Sequence, residues 1–184
     1  MRPASESVGC ALRQICAVVA VALSLSACAT APDTGVDAPS FDIARYFEGR
    51  TEGSGVIERG GRIVERFEMV AVGSIAGDTL TLDETFAFSD GSTFRRAWRM
   101  RSPRPGTWLA EADNVAGRAE ITVRNGVARM RYLADFPRGD GTIRLRFDQM
   151  LTPLRGDIVL NRSFLSVLGY PVGSVTVVFE KPTR

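Results

Sequence analysis

From Gly49 onward, apolar and polar residues alternate with a period of two, and turn-forming residues interrupt the alternation at short intervals. Turn signals stand at Arg59-Gly60-Gly61, Ala76-Gly77-Asp78, Asp90-Gly91, Pro105-Gly106, Asn125-Gly126, Gly139-Asp140-Gly141 and Arg155-Gly156-Asp157. The segments between them are rich in Val, Ile, Thr, Phe and Trp, which suit a pleated, half-buried surface. Connections this short force neighbouring strands to run antiparallel. No stretch alternates strands with long helical patterns, which argues against a parallel α/β sheet. Two short helical turns are predicted, Asp42 to Phe47 ahead of the sheet and Ser163 to Leu168 before the last strand. About nine or ten sequential strands would leave two unpaired edges, and closing the sheet on itself removes them. The expected fold is therefore all-β, an antiparallel up-and-down barrel of about 9–10 strands with short helical turns, and a β-sandwich is the competing layout.

One hairpin carries the most chemical information. In Leu80 to Phe88, the residues Leu80, Leu82, Phe86 and Phe88 share a face, and Glu84 falls on that same apolar face. The following strand places Phe94, Arg96, Trp98 and Met100 together. A three-residue loop at Asp90-Gly91-Ser92 would set Phe88 opposite Phe94 and Phe86 opposite Arg96, with Glu84 diagonal to Arg96. A two-residue loop would break the match of apolar faces. A lone buried carboxylate is costly, so an acid and a guanidinium are expected to pair inside the sheet. Three readings of that pair stay open: a salt bridge that sets register, a polar floor of a ligand cavity, or a catalytic carboxylate. Asp113 and Asn114 read as turn formers, and Asp148 as half of a cross-strand ion pair with neighbouring arginines. Arg162 aligns with Ile158 and Leu160 and is expected to point inward as a further ligand contact.

The chain starts differently. Arg2 and Arg13 precede the apolar run Ile15 to Leu25. That run falls within the roughly 7–15 residues of a signal-peptide core and below the roughly 20 of a spanning helix. It ends in Leu25-Ser26-Ala27-Cys28, which resembles the lipobox of bacterial lipoproteins. The resemblance implies that residues 1–27 are a lipoprotein signal peptide and that Cys28 carries the lipid. Ala29 rather than aspartate after that cysteine implies delivery to the outer membrane, facing the periplasm. Residues 28–40 then comprise the lipidated cysteine and a flexible, Pro-containing linker, and residues 41–184 a single β-barrel domain. Cys10 and Cys16 fall in the signal segment, so the barrel domain has no thiol and no disulfide.

Composition narrows the function classes. The chain of 184 residues is 45% hydrophobic, which rules out a disordered chain. It has no histidine, which removes a Ser-His-Asp triad, a Cys-His pair and any histidine metal ligand. No catalytic residue, metal site or cofactor is predicted. The net charge of +2 in an exported protein argues against nucleic acid as a partner. Arg95, Arg96, Arg99, Arg101 and Arg104 form a cluster suited to anionic head groups.

An up-and-down barrel of this size resembles the calycin or lipocalin architecture, which encloses a cavity for a small apolar ligand. The domain is also similar to a family of bacterial lipoproteins defined only as a domain of unknown function. The similarity rests on Tyr46-Phe47-Glu48-Gly49, Arg66-Phe67, Leu80-Thr81-Leu82-Asp83-Glu84 with Phe86, Asp90-Gly91, and Arg96-Ala97-Trp98. It continues through Ala112-Asp113, Val115-Ala116-Gly117, Asp148 to Met150, and Asn161-Arg162. The family pattern places a tryptophan before Met150, where this chain has Gln149, which implies a different lining at that point.

The expectation is a membrane-anchored periplasmic lipoprotein, non-enzymatic, that binds or shields a lipid-like molecule. Glu84 and Arg96 would form the polar handle, Phe86, Phe88, Phe94, Trp98, Phe147 and Leu160 the apolar lining, and Arg162 a further contact. Its partners would be the membrane, through Cys28, and a lipid-like small molecule; no protein partner is indicated. Two alternatives stay open: a structural or accessory module whose barrel is filled by its own side chains, and a lipid-modifying enzyme that uses carboxylates.

Overall fold

The period-two alternation becomes ten strands and one short helix in the computed structural model, which describes residues 41–138, 140–155 and 157–182. The signal segment, Cys28 and the linker lie outside the described residues. Helix α1 (Ile43–Phe47) comes first, followed by β1 (Gly49–Arg59), β2 (Arg62–Ala76), β3 (Thr79–Phe88), β4 (Thr93–Arg104) and β5 (Thr107–Ala112). The second half holds β6 (Ala119–Arg124), β7 (Val127–Arg138), β8 (Gly141–Pro153), β9 (Val159–Val167) and β10 (Tyr170–Glu180). Each strand pairs antiparallel with its sequence neighbour, and β1 pairs with β10 from Glu52↔Glu180 to Glu58↔Ser174. The sheet is thus a closed up-and-down barrel with no free edge. The described residues close their own sheet and supply one contiguous apolar core.

Helix α1 sits where the sequence predicts a helical turn. Asp42 caps it, its carboxylate accepting from the Arg45 amide at 3.1 Å. Ile43 and Phe47, four apart, share one face and are buried. The Phe47 ring meets Phe179 edge-on at 5.7 Å. Gly73, near the end of β2, lets the helix come this close, because a Cβ there would lie 1.9 Å from the Phe47 carbonyl oxygen. The helix therefore lies at the barrel end where β1 begins and β2 stops. The turns β1–β2, β3–β4, β5–β6, β7–β8 and β9–β10 ring the opposite end.

Two of the predicted details change. First, Ser163 to Leu168 is not a helical turn: Ser163 to Val167 continue β9, and Leu168-Gly169 form a tight turn into β10. Ser163, Phe164, Leu165, Ser166 and Val167 fit a strand packed on both sides, and pairing with both β8 and β10 overrides any local helical preference. Second, the β3–β4 register is shifted by two residues. Phe86 faces Phe94 and Glu84 faces Arg96 directly. The cause is a longer turn through Ser89-Asp90-Gly91-Ser92, in which Phe88 N donates to Ser92 O at 2.9 Å and Ser92 N to the Asp90 carboxylate at 2.8 Å. A shift of two keeps every side chain on its expected face.

The turn at Leu168-Gly169 is unusual in composition. Both residues have positive φ, 49° and 87°, the pattern of a type I′ hairpin. Asn125-Gly126 makes the same turn with φ of 49° and 71° and uses the residues such a turn prefers. Leucine in the left-handed region costs roughly 1–2 kcal/mol. Leu168 is also 94% exposed and Tyr170 beside it 76%.

Strands β5 and β6 are short, and the chain between them folds onto β7. Ala116 N donates to Leu133 O, and Asp135 N to Asn114 O, both at 2.8 Å. This lets β4 and β7 approach across the gap, where Phe94 and Phe136 stand 5.7 Å apart. Outside the barrel, Arg144 grips Asp135 with two bonds of 2.7 Å, and Arg131 pairs with Asp148 at 3.1 Å. The second pair is the cross-strand partner expected for Asp148.

Candidate functional site: a lined cavity inside the barrel

Alternation in β3 and β4 sends the even-numbered residues inward. Leu80, Leu82, Trp98 and Met100 are buried, and with them come Glu84 and Arg96, whose side chains are only 10% and 11% exposed. The carboxylate oxygen Oε2 of Glu84 accepts from Arg96 Nε at 2.9 Å and lies 2.7 Å from Arg96 Nη2. It also accepts from Trp98 Nε1 at 3.1 Å. Three donors on one oxygen are what a buried carboxylate needs to offset its desolvation. The guanidinium lies 4.7 Å from the Trp98 ring centre and 5.8 Å from that of Phe86, both favourable for a cation.

The pair does not stand alone. Tyr132 on β7 interacts with Arg96 and donates its hydroxyl to Gln149 Oε1 on β8 at 3.2 Å. Its ring meets Trp98 edge-on at 5.4 Å and stacks on Phe147 at 4.8 Å. A polar network thus crosses the lumen from β3 and β4 to β7 and β8. Burial works against the Arg96 charge, and Glu84 and Tyr132 more than offset it, so the guanidinium is held above its usual value. Burial pushes the Tyr132 phenol up; Arg96 pulls the other way and Glu84 adds to the rise.

Around this network is a cavity of about 310 Å³. Ile43 and Phe47 of α1 line one part of it, and Phe88, Phe94, Phe136 and Leu145 lie toward the ring of turns. A second space of about 600 Å³ adjoins it at that end and shares Ile57, Arg59, Leu145 and Leu165 with it. Cavities of roughly 300–1,000 Å³ are the size that takes small organic ligands.

The sequence-predicted residues divide as follows. Glu84, Phe86, Phe88, Phe94, Arg96, Trp98 and Phe147 all line the cavity. Arg162 does not: it is exposed, with its guanidinium 5.1 Å from the Phe164 ring centre. Leu160 shares its outward side. In β9 the inward residues are Val159, Asn161, Ser163 and Leu165, the opposite alternation from the one expected. Both faces of this strand carry apolar residues, so periodicity alone does not tell inside from outside. Arg96, facing inward, also leaves the basic cluster, while Arg95, Arg99, Arg101 and Arg104 stay exposed. Cys28 lies outside the described residues.

Sequence reasoning missed Tyr132 and Asn161. Alternating Met130, Tyr132, Ala134 and Phe136 carried the signal for the first. Asn161 is buried, lines the cavity, and has a side-chain oxygen without a partner. Gln149 lines the cavity as well. Among the described residues no cluster of His, Cys, Asp or Glu is placed to hold a metal ion, and no helix is long and apolar enough to cross a membrane.

A comparison with protein families matches residues 22–181 to a family described as a protein of unknown function, DUF3833. A search of curated proteins finds no match.

Proposed function

Since the chain belongs to the DUF3833 family, whose description assigns no activity, we propose a function from the barrel itself: a lipid-anchored protein of the bacterial envelope whose lumen holds a lipid-like molecule. The observation that carries this reading is the cavity of about 310 Å³ in a lumen lined mainly by Phe, Leu, Ile, Val and Met side chains. A core filled for stability alone packs to near-crystalline density and leaves few voids larger than a water molecule. The lipobox-like Leu25-Ser26-Ala27-Cys28 supports the anchor and the envelope address.

The charge balance of the lumen favours one class of ligand. Arg96 is already neutralised by Glu84 at 2.7 Å, so a free carboxylate reaching this inner network would meet a second carboxylate, while the other arginine of the lining, Arg59, stands at the ring of turns, away from that network. A neutral amphiphile, one acyl chain carrying a hydroxyl or ester group, suits such a site better than a fatty acid. Trp98 fluorescence on titration with a monoacylglycerol and with a fatty acid of equal chain length tests this. Tighter binding of the monoacylglycerol at neutral pH is expected. A response to neither overturns the cavity reading, and preference for the fatty acid overturns the assignment of ligand class alone.

A further inference from the structure

The β9–β10 hairpin is built unlike the rest of the barrel. Charged residues make up 24% of the chain, yet none occurs between Arg162 and Glu180. Its apex is Leu168, in a left-handed conformation that the Asn125-Gly126 turn fills with asparagine, followed by Gly169 and the exposed Tyr170. Neither exposure nor conformation recommends leucine there for stability. The neighbouring β1–β2 hairpin adds Ile63 and Val64, about half exposed, the second at a break in register. Between the two apolar tips stand the exposed Arg59 and Arg62, while nearby Glu58 is engaged by the Ser174 hydroxyl at 2.8 Å.

We infer that this rim docks on a bilayer surface containing anionic lipid, with Leu168 and Tyr170 entering the head-group layer. Two side chains at a turn apex bury far less than the roughly 1,000 Å² that a stable protein contact needs. They are enough to seat a protein shallowly in a membrane interface, where tyrosine is favoured and arginines meet phosphates. The space that opens at this end of the barrel, lined by Val167 and Val172 of the same hairpin, then faces the bilayer, which gives a lipid-like ligand a short apolar route. Docking does not depend on what the cavity holds.

The test is sedimentation of residues 41–184 with vesicles of phosphatidylethanolamine and phosphatidylglycerol, against vesicles of phosphatidylcholine alone. Binding to the first set is expected, weakened at least tenfold by Leu168→Asn and by Tyr170→Ser. Because asparagine suits the left-handed turn, Leu168→Asn is also expected to raise the unfolding temperature, which separates lost docking from lost folding. Arg62→Glu should weaken binding to the phosphatidylglycerol vesicles, and Leu154→Asp, at the helix end, should leave it unchanged. Three outcomes would overturn the inference: no binding of the unsubstituted protein, Leu168→Asn binding as well as the parent, or Leu154→Asp weakening it equally. The first would leave the rim as a surface for a protein.

Discussion

Glu84 and Arg96 stand directly opposite each other on β3 and β4, and a single carboxylate oxygen of Glu84 meets both Nε and Nη2 of Arg96. Breaking one side of such a pair leaves the other charge buried without compensation. Glu84→Gln is therefore expected to destabilise the barrel by about 3–5 kcal/mol in denaturant unfolding. The double variant Glu84→Leu with Arg96→Met should recover most of that loss, because two apolar groups need no partner. A single variant as stable as the parent would show the pair to be solvated.

The helix is held by a contact that tolerates no added atom. Gly73→Ala places a Cβ against the Phe47 carbonyl, and overpacking of this kind costs about 1–3 kcal/mol. Thermal unfolding should show a fall of several degrees. Phe47→Ala, which removes a buried ring, should cost about 3–5 kcal/mol.

Alkaline pH should destabilise the barrel. Burial pushes the phenols of Tyr46 and Tyr132 up, with Asp157 and Glu180 adding to the rise at Tyr46. A raised folded-state pKa gives stability that is complete below the unfolded value, roughly 10, and is lost as the pH rises toward the folded one. Unfolding free energy should thus decline from about pH 10 upward, and Tyr132→Phe should reduce the slope. A flat profile in this range would contradict the burial of both phenols.

Asn161 places a buried oxygen without a partner in the cavity wall. Asn161→Leu keeps the volume and removes that group, so it should stabilise the empty barrel by about 1 kcal/mol, as measured by denaturant titration. Lower stability would mean that the amide has a partner in solution.

How far each feature could be read from residues alone follows from its range in the chain. The inward set on β3 and β4 was readable, because strict alternation and a local turn settle which residues share a face. Their register was off by two, because the pairing Ala87↔Thr93 depends on hydrogen bonds of Ser89 and Ser92 that composition does not announce. Alternation with Ile158 and Leu160 points Arg162 inward, but β9 is apolar on both faces, and only its pairing with β8 and β10 settles the side. Tyr132 reaches Arg96 across the lumen from a strand distant in the chain, a contact that exists only once β5 and β6 stop short and β7 closes on β4.

Native mass spectrometry of residues 41–184 addresses the hollow barrel most directly. A neutral acyl lipid should co-purify with the protein and be lost from Leu165→Trp, which fills the cavity with a ring while leaving Glu84 and Arg96 in place. Protein that emerges free of lipid, with an unfolding temperature unmoved by added monoacylglycerol, would contradict the account.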